Sequence, residues 1–265
     1  MEIKNKSIII TGASSGIGKE LAIILSSKGG LVSLLSRRKE EIEKLANEIS
    51  RNNENVIAIQ TDVTSSGQVN DAIKQTTDKF GKIDIVINNA GLGCYAPVEL
   101  MPNDVVEQIF KTNIMGALNV IKASLPYLKI TKGMIVNISS GLSKRALPYL
   151  SAYAGTKAML NMISDGLRME LKPFDIKVLT YLPPQTKTSF AECSLKAIPI
   201  DNSSKFDARA KKPEDVAGRI VKAIIKEKRE VVEGKMLDIM NFFFPKFLDN
   251  VFYKAMVLKN NYKKS

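Results

Sequence analysis

Short apolar runs bounded by polar or turn-forming residues recur along the chain. Those rich in β-branched residues are predicted as strands, at positions 7–10, 31–35, 56–60, 83–88, 134–138 and 176–182. The segments between them repeat apolar residues at helical spacing and are polar on one side, which predicts helices at 17–28, 39–51, 65–80, 104–125 and 154–171. Because the strands are almost wholly apolar, we expect a sheet that is buried on both faces.

The regular alternation of strand and helix predicts an α/β protein with a doubly wound parallel sheet between two layers of helices, the Rossmann fold. No linker rich in Pro, Gly or Ser and no internal repeat divides the first 230 residues. Pro213 begins a further predicted helix. We therefore expect one nucleotide-binding catalytic domain at 1–235, followed by a helical C-terminal segment at 236–265.

The amino-acid composition excludes several kinds of catalytic and metal site. The 265 residues include no His and no Trp, and 39 basic against 27 acidic side chains give a net charge of +12. Without His, a Ser-His-Asp triad, a Cys-His dyad and a His-ligated zinc site are excluded. Cys94 and Cys193 form no metal-binding or disulfide motif, so no metal is predicted and a reducing compartment fits best. With no signal peptide, membrane-spanning run or nucleic-acid motif, we expect a cytoplasmic protein that binds no nucleic acid.

A glycine-rich turn follows the first predicted strand. Residues 11–18 read TGASSGIG and lead directly into a helical pattern. Such a turn lets the backbone approach a pyrophosphate, and the helix N-terminus directs free N–H groups and the positive end of its dipole toward the anion. The strand–turn–helix context therefore predicts a nucleotide site. Its expected contacts are Gly12, Ser14, Ser15, Gly16, Ile17 and Gly18.

Two further motifs stand downstream. Residues 88–91 read NNAG after a predicted strand, and residues 153–157 read YAGTK at the start of a predicted helix. Together with the GxxxGxG spacing of the glycine turn, they resemble the short-chain dehydrogenase/reductase family over roughly residues 5–230. The resemblance implies a nicotinamide dinucleotide cofactor and an Asn-Ser-Tyr-Lys active site. The matching positions are Asn113, Ser140, Tyr153 and Lys157.

Each member of this tetrad has an expected role. Tyr153 and Lys157 are one helical turn apart, so the ammonium is expected to lower the pKa of the phenol, which then acts as a general acid/base. The resemblance assigns Ser140, together with Tyr153, to the substrate oxygen, with Ser139 as the alternative serine. It assigns Asn113 to a water relay that reaches the lysine, whereas the alternative is an asparagine that bonds locally within its helix.

The end of the second strand bears on the choice of cofactor. Family members that prefer NAD have a carboxylate there, but this chain has Arg37 and Arg38. Guanidinium groups fit a 2′-phosphate, so NADP(H) is predicted, with Arg37 as the main contact; the alternative is a basic helix terminus that faces solvent. Pro184 replaces the family's usual glycine in the loop after the sixth strand. The remaining cofactor contacts implied by the resemblance are Asp62, Val63, Asn89, Ala90, Gly91, Tyr153, Lys157, Pro183, Thr186 and Thr188. For Asp62, a simple turn residue is the alternative.

The C-terminal segment has a composition of its own. Five of the ten phenylalanines lie within eleven residues, at Phe242, Phe243, Phe244, Phe247 and Phe252, with lysines around them. One interpretation is an amphipathic helix that lies on a membrane surface through residues 242–264. We favour the other, a helix packed on the domain or on a partner subunit. Residues 167–195 are also similar to 3-ketosphinganine (3-ketodihydrosphingosine) reductases, which favours a bulky, lipid-like substrate.

The predicted function is reduction of a ketone or aldehyde by NADP(H), or the reverse oxidation. Homodimers or homotetramers are usual for the family. The competing class is a non-catalytic nucleotide-binding sensor or scaffold of the same fold. Loss of a tetrad residue is the usual mark of such a protein, and no tetrad residue is lost here.

Overall fold

The computed structural model describes residues 1–50, 54–188, 195–196, 210–233 and 241–257. Nine strands are present in this part of the chain: β1 Ser7–Thr11, β2 Leu31–Ser36, β3 Val56–Gln60, β4 Ile85–Asn88, β5 Cys94–Tyr95, β6 Met134–Ile138, β7 Lys177–Leu182, β8 Leu195–Lys196 and β9 Glu230–Val232. Seven of them form a parallel sheet in the order β3-β2-β1-β4-β6-β7-β9, and β5 pairs with β8 in a separate two-stranded sheet. The predicted α/β class with a parallel sheet is confirmed.

Helices cover both faces of the large sheet. Their bounds are α1 Gly16–Ser27, α2 Lys39–Ile49, α3 Ser66–Phe80, α4 Asn103–Phe110, α5 Gly116–Thr131, α6 Ser151–Glu170, α7 Pro213–Ile225 and α8 Pro245–Phe252. Alternate strand residues face opposite layers. Ile8 and Ile10 of β1 pack with residues of α1, α2 and α7, whereas Ile9 packs with residues of α3, α5 and α6. The core is therefore two apolar layers, one on each side of the sheet.

The predicted helix at 104–125 is wrong in its extent. The structure has α4 and α5 instead, separated by a π-helical turn at Lys111–Met115, and α5 runs on through Pro126 to Thr131. Gly116, where the π turn ends, is packed so tightly that a Cβ there would lie 2.6 Å from the Val63 side chain. Tertiary contacts thus fix a local backbone form that apolar periodicity does not reveal.

Three strands lie outside the predicted set. Strands β5 and β8 have two residues each, and β9 has three, which is too short for an apolar alternation to be recognised. Strand β9 extends the large sheet by pairing with β7 at its edge. Its position therefore depends on the pairing partner rather than on its own sequence.

The strand order reverses beside β1. Strand β1 pairs with β2 on one side and with β4 on the other. Along the chain, β2 and β3 follow β1 on the first side of the sheet, and β4 then continues on the second side. Ligands of open α/β sheets bind at such a point, outside the carboxyl ends of the strands. The glycine turn, the NNAG motif, Ser140 and Pro183 follow the carboxyl ends of β1, β4, β6 and β7. The fold thus brings the sequence motifs together at the carboxyl-terminal ends of the sheet strands.

Candidate active site

The glycine turn between β1 and α1 requires its glycines. Gly12 and Gly16 have positive φ angles of 64° and 55°, which side chains rarely adopt. A Cβ at Gly12 would lie 2.9 Å from the Ala90 Cα atom, and one at Gly18 would lie 2.3 Å from the Gly12 carbonyl oxygen. The glycines thus allow the tight turn and the close packing of α1 beside β1 and the NNAG segment, which brings the N-terminus of α1 to the place where a pyrophosphate is expected.

The NNAG motif holds the glycine turn in place. The Asn89 side-chain amide donates to the carbonyl oxygens of Thr11 and Gly12, at 3.0 and 3.2 Å. The Thr11 hydroxyl oxygen in turn accepts from the backbone N–H groups of Asn89 and Ala90, both at 3.0 Å. Sequence reasoning assigned Asn89 and Ala90 to the cofactor but overlooked Thr11, which links the two motifs.

The two arginines after β2 differ in their surroundings. The Arg38 guanidinium donates to the Ser14 hydroxyl at 2.8 Å and to the Ser15 hydroxyl at 2.7 Å, so it lies against the glycine turn. Arg37 is exposed, and its carbonyl oxygen accepts from the Gln60 side chain at 3.2 Å. Both positive side chains start from the end of β2, beside the turn.

Asp62 and Val63 lie after β3. The Asp62 carboxylate accepts from the backbone N–H of Thr64 at 2.9 Å and from its hydroxyl at 2.8 Å, the pattern of a local turn. Val63 is buried against Gly116. The structure thus shows the turn function of Asp62 directly, and its predicted contact with the cofactor stays a prediction.

Ser140 and Tyr153 are joined by a hydrogen bond. Ser140 is extended at the end of β6, and its hydroxyl oxygen accepts from the Leu142 backbone N–H at 3.1 Å. Its proton therefore remains available to an oxygen on the side of Tyr153. The Ser139 hydroxyl instead donates to the Lys157 carbonyl oxygen at 3.1 Å, in a buried position. This geometry favours Ser140 over the alternative serine as the residue that faces a substrate.

Tyr153 and Lys157 are both buried on one face of α6, and the Lys157 Nζ atom lies 5.9 Å from the centre of the Tyr153 ring. The Nζ group donates to the Ile138 carbonyl oxygen at 2.9 Å. Burial raises the pKa of Tyr153 to about 12, although the hydrogen bond with Ser140 lowers it. Burial also lowers the pKa of Lys157 to about 8. The expectation of a lowered tyrosine pKa is therefore wrong for this structure, because desolvation of the phenolate is the larger effect.

Asn113 lies in the π turn between α4 and α5 and is almost fully buried. Its Oδ1 atom accepts from the Leu92 backbone N–H at 2.7 Å. Its Nδ2 group donates to the Leu92 carbonyl oxygen at 2.9 Å and to the Thr156 hydroxyl at 3.0 Å. A Cβ at Gly91 would lie 3.3 Å from Asn113 Oδ1 and 3.5 Å from Lys157 Nζ. Asn113 thus ties the NNAG segment to the helix that carries the Tyr-Lys pair.

The loop after β7 runs from the serine to the glycine turn. The Pro183 carbonyl oxygen accepts from the Gly141 N–H at 3.2 Å, and the Thr186 hydroxyl donates to the Pro184 carbonyl oxygen at 2.8 Å. The Thr188 methyl group lies 2.9 Å from the position of a Cβ at Gly16. Thr188 therefore lies against the glycine turn, whereas Thr186 bonds within its own loop, in which a proline replaces the family's glycine, and its predicted cofactor contact stays a prediction.

A buried aromatic cluster that includes the segment before α6 was not predicted. Tyr95, Tyr149 and Met256 form a buried cluster, and the rings of Tyr95 and Tyr149 meet edge to face at 5.4 Å. Tyr149 lies just before α6, with a positive φ angle of 69°, and its position four residues before Tyr153 could have indicated it. Arg145 holds the C-terminal segment through Asp249 and the side chain of Asn241. The described part of the segment, residues 241–257, therefore packs on the domain, which is one of the two packing arrangements that the sequence favours.

Comparisons with known proteins agree with this geometry. The short chain dehydrogenase family profile matches residues 6–197. A 3-ketodihydrosphingosine reductase from Bacteroides thetaiotaomicron is 37% identical over 186 residues, which are 70% of this chain and 65% of that protein. Among solved structures, a 3-ketoacyl-(acyl-carrier-protein) reductase from Brucella melitensis with NADH is 26% identical, with a TM-score of 0.79, and covers 88% of this chain and 98% of its own.

A short chain dehydrogenase from Burkholderia cenocepacia in complex with NADP has a TM-score of 0.79 at 25% identity, and covers 95% of this chain and 99% of its own. The family profile spans most of the chain, including the glycine turn, the NNAG motif and the Tyr-Lys pair. Sequence motifs, fold and comparisons all lead to the same assignment. The chain belongs to the short-chain dehydrogenase family of oxidoreductases.

Proposed function

We propose that this protein is an NADP(H)-dependent reductase of a bulky ketone or aldehyde, with the reverse oxidation using the same groups. The observation that carries the proposal is the hydrogen bond between Ser140 and the buried Tyr153, near Lys157, at the carboxyl-terminal edge of the sheet where the glycine turn also lies. A phenol and a hydroxyl that meet at one point can bind one carbonyl oxygen together.

The residues that surround the glycine turn fit a nicotinamide dinucleotide. Gly12 and Gly18 permit the tight turn and the close packing that place the N-terminus of α1 at the end of β1, where a pyrophosphate is expected. Arg37 and Arg38 stand where a 2′-phosphate is expected, and no carboxylate competes with them there. These features support NADP(H) over NAD(H). When bound, the cofactor supplies or accepts the hydride.

The chain's own residues handle the proton and the substrate oxygen. Ser140 donates a hydrogen bond to the oxygen and stabilises the negative charge that develops there. Tyr153 gives its proton to the same oxygen, and its raised pKa keeps the phenol protonated at neutral pH, as reduction requires. Lys157, whose pKa of about 8 leaves it mainly positively charged at neutral pH, orients the cofactor ribose. Asn113 binds the Leu92 backbone, which positions residues 91 and 92 near Lys157, and it supports the proton relay.

An apolar substrate is supported by two observations. Tyr149, four residues before Tyr153 in the sequence, belongs to a buried cluster with Tyr95 and Met256. The Bacteroides thetaiotaomicron relative is named for reduction of a long-chain sphingoid ketone. We therefore include lipid-like ketones in the proposed substrate class, and a homodimer or homotetramer stays a prediction.

The proposal is tested by NADPH and NADH oxidation with the purified protein against short aldehydes, steroids and long-chain 3-keto amines. We expect turnover with NADPH on a long-chain ketone and much slower turnover with NADH. Tight NADPH binding without turnover on any of these carbonyls would favour the sensor or scaffold class instead.

A further inference from the structure

The C-terminal segment exposes an aromatic surface. Phe242, Phe243, Phe244 and Phe247, here called the phenylalanine patch, are 80%, 66%, 61% and 57% exposed. Their rings are neighbours: the centres of Phe242 and Phe243 are 5.0 Å apart, and those of Phe243 and Phe244 are 6.5 Å apart. Single exposed apolar residues are ordinary, but a contiguous aromatic patch indicates a surface that binds something.

The patch is exposed although the segment that carries it is anchored. Leu248 of α8 is 4% exposed, and Met256 is 8% exposed and packs with Tyr95 and Tyr149. Arg145, from the loop after β6, binds Asp249 in an ion pair. The inner side of the segment is therefore used for packing, and the phenylalanines are held on its outer side.

The charge around the patch identifies the occupant. Within residues 241–257, Lys246 and Lys254 carry positive charge, and Asp249 is the only carboxylate side chain. Arg145 already neutralises that carboxylate. A second copy of the chain docked patch to patch would bring the same positive charges together. An anionic lipid surface instead provides opposite charge at the headgroups and apolar depth for the rings.

We propose that the phenylalanine patch inserts into the interfacial layer of an anionic lipid bilayer, with Lys246 and Lys254 at the headgroups. No helix in the described ranges is long and apolar enough to cross a membrane. The contact is therefore a peripheral one in this part of the chain. Membrane binding itself does not depend on the proposed reductase function.

Cosedimentation of the full chain with vesicles tests the proposal. Vesicles of phosphatidylcholine alone are compared with vesicles that contain one third phosphatidylglycerol. We expect binding to the anionic vesicles, and a reduction of about tenfold or more for the double variant Phe242→Ser, Phe243→Ser. The matched control is Ile130→Ser with Met169→Ser, two residues that are 81% and 73% exposed on other helices. The control should bind like the unchanged protein.

The absence of Trp from the chain allows a second, direct measurement. The variant Phe243→Trp introduces a single indole, whose emission should shift to the blue with anionic vesicles and be quenched by brominated lipid. The matched variant Ile130→Trp should show neither change. Equal vesicle binding by the patch variant and the control, or an unshifted indole at position 243, would overturn the proposal. The proposal would also be overturned if the protein did not bind vesicles and instead formed a dimer that the patch substitutions dissociate.

Discussion

The side-chain amide of Asn113 binds both backbone polar groups of Leu92. The Leu92 N–H donates to Oδ1 at 2.7 Å, and Nδ2 donates to the Leu92 carbonyl oxygen at 2.9 Å. An asparagine side chain thereby imitates a strand partner for one residue. The contact fixes the backbone that follows the NNAG motif, next to the ammonium of Lys157.

Replacement of Asn113 by Ala is therefore expected to lower stability. The substitution leaves the Leu92 backbone groups without their partners, which costs about 1–3 kcal/mol in the free energy of unfolding. Urea denaturation measures the change. The matched variant is Asn103→Ala, an exposed asparagine at the start of α4, which should change stability by less than about 0.5 kcal/mol. Equal stability of the two variants would contradict the structural role of Asn113.

Replacement of Tyr153 by Phe is expected to lower kcat by about a hundredfold to ten-thousandfold, since the acid that protonates the substrate oxygen is lost. NADPH binding, measured by fluorescence of the cofactor, should change little. Tyr127→Phe on α5 is the control for removal of a tyrosine hydroxyl outside the site and should keep its turnover. Retained turnover in the Tyr153 variant would refute the assignment.

Replacement of Arg37 by Ala should raise the dissociation constant for NADPH by about ten- to a hundredfold, because a charge-assisted contact with the 2′-phosphate is lost. The dissociation constant for NADH should change by less than about threefold. Arg38→Ala is the informative comparison, because Arg38 also binds Ser14 and Ser15 of the turn that both cofactors share.

The Arg38 variant should therefore weaken NADPH and NADH binding together. If Arg38→Ala proves selective for NADPH while Arg37→Ala does not, the phosphate contact belongs to Arg38. Isothermal titration with each cofactor distinguishes the two assignments.

Lys157 gives the cofactor-free protein a distinctive pH dependence. Burial lowers its pKa from 10.5 to about 8 in the folded chain. Between these values the unfolded chain binds more protons, so the free energy of unfolding rises with pH. Relative to Lys157→Met, the unchanged protein should gain about 2 kcal/mol between pH 8 and pH 9.5. Lys122→Met, an exposed lysine on α5, should leave the slope unchanged. A slope that survives Lys157→Met would show that another group causes it.

Replacement of Arg145 by Ala should loosen the C-terminal segment. The guanidinium contacts the Asn241 side chain, the Pro245 carbonyl oxygen and the Asp249 carboxylate. Their loss should speed proteolysis within 241–257 by about tenfold, since cleavage follows the population of the open segment. Lys144→Ala removes the neighbouring exposed ion pair with Glu230 and should leave cleavage unchanged. Equal cleavage of both variants would contradict the anchoring role.

The long strands and helices could be predicted because their apolar periods extend over many residues. The β1–turn–α1 unit, for example, combines a buried run, three glycines and a helical pattern in one stretch. The π turn around Asn113 could not be predicted, because it depends on Leu92 and Val63, which are distant in sequence. The edge strand β9 likewise depends on its partner β7.

The site residues could be located from spacing, but not their energetics. The positions of Ser140, Tyr153 and Lys157 follow from motifs, and the structure brings them together. The direction of the tyrosine pKa shift was wrong because a sequence shows which charges are near but not how completely a group is removed from water. The contacts of Arg38 with the serine hydroxyls of the glycine turn could not be predicted from the sequence either.

The bonds between Thr11 and Asn89 join two motifs that are far apart along the chain. The glycine turn and the NNAG segment consequently cannot be recombined freely between homologous proteins. A chimaera whose crossover falls between them takes its glycine turn from one parent and its NNAG segment from the other. In such a chimaera, Ala90 must still leave room for the turn at Gly12. The Asn89 side chain must still reach the Thr11 and Gly12 carbonyl groups, and Gly18 must still pack against the Gly12 carbonyl oxygen. Crossovers after Gly91 keep this pair intact, and they are the favourable junctions for exchanging substrate-side segments.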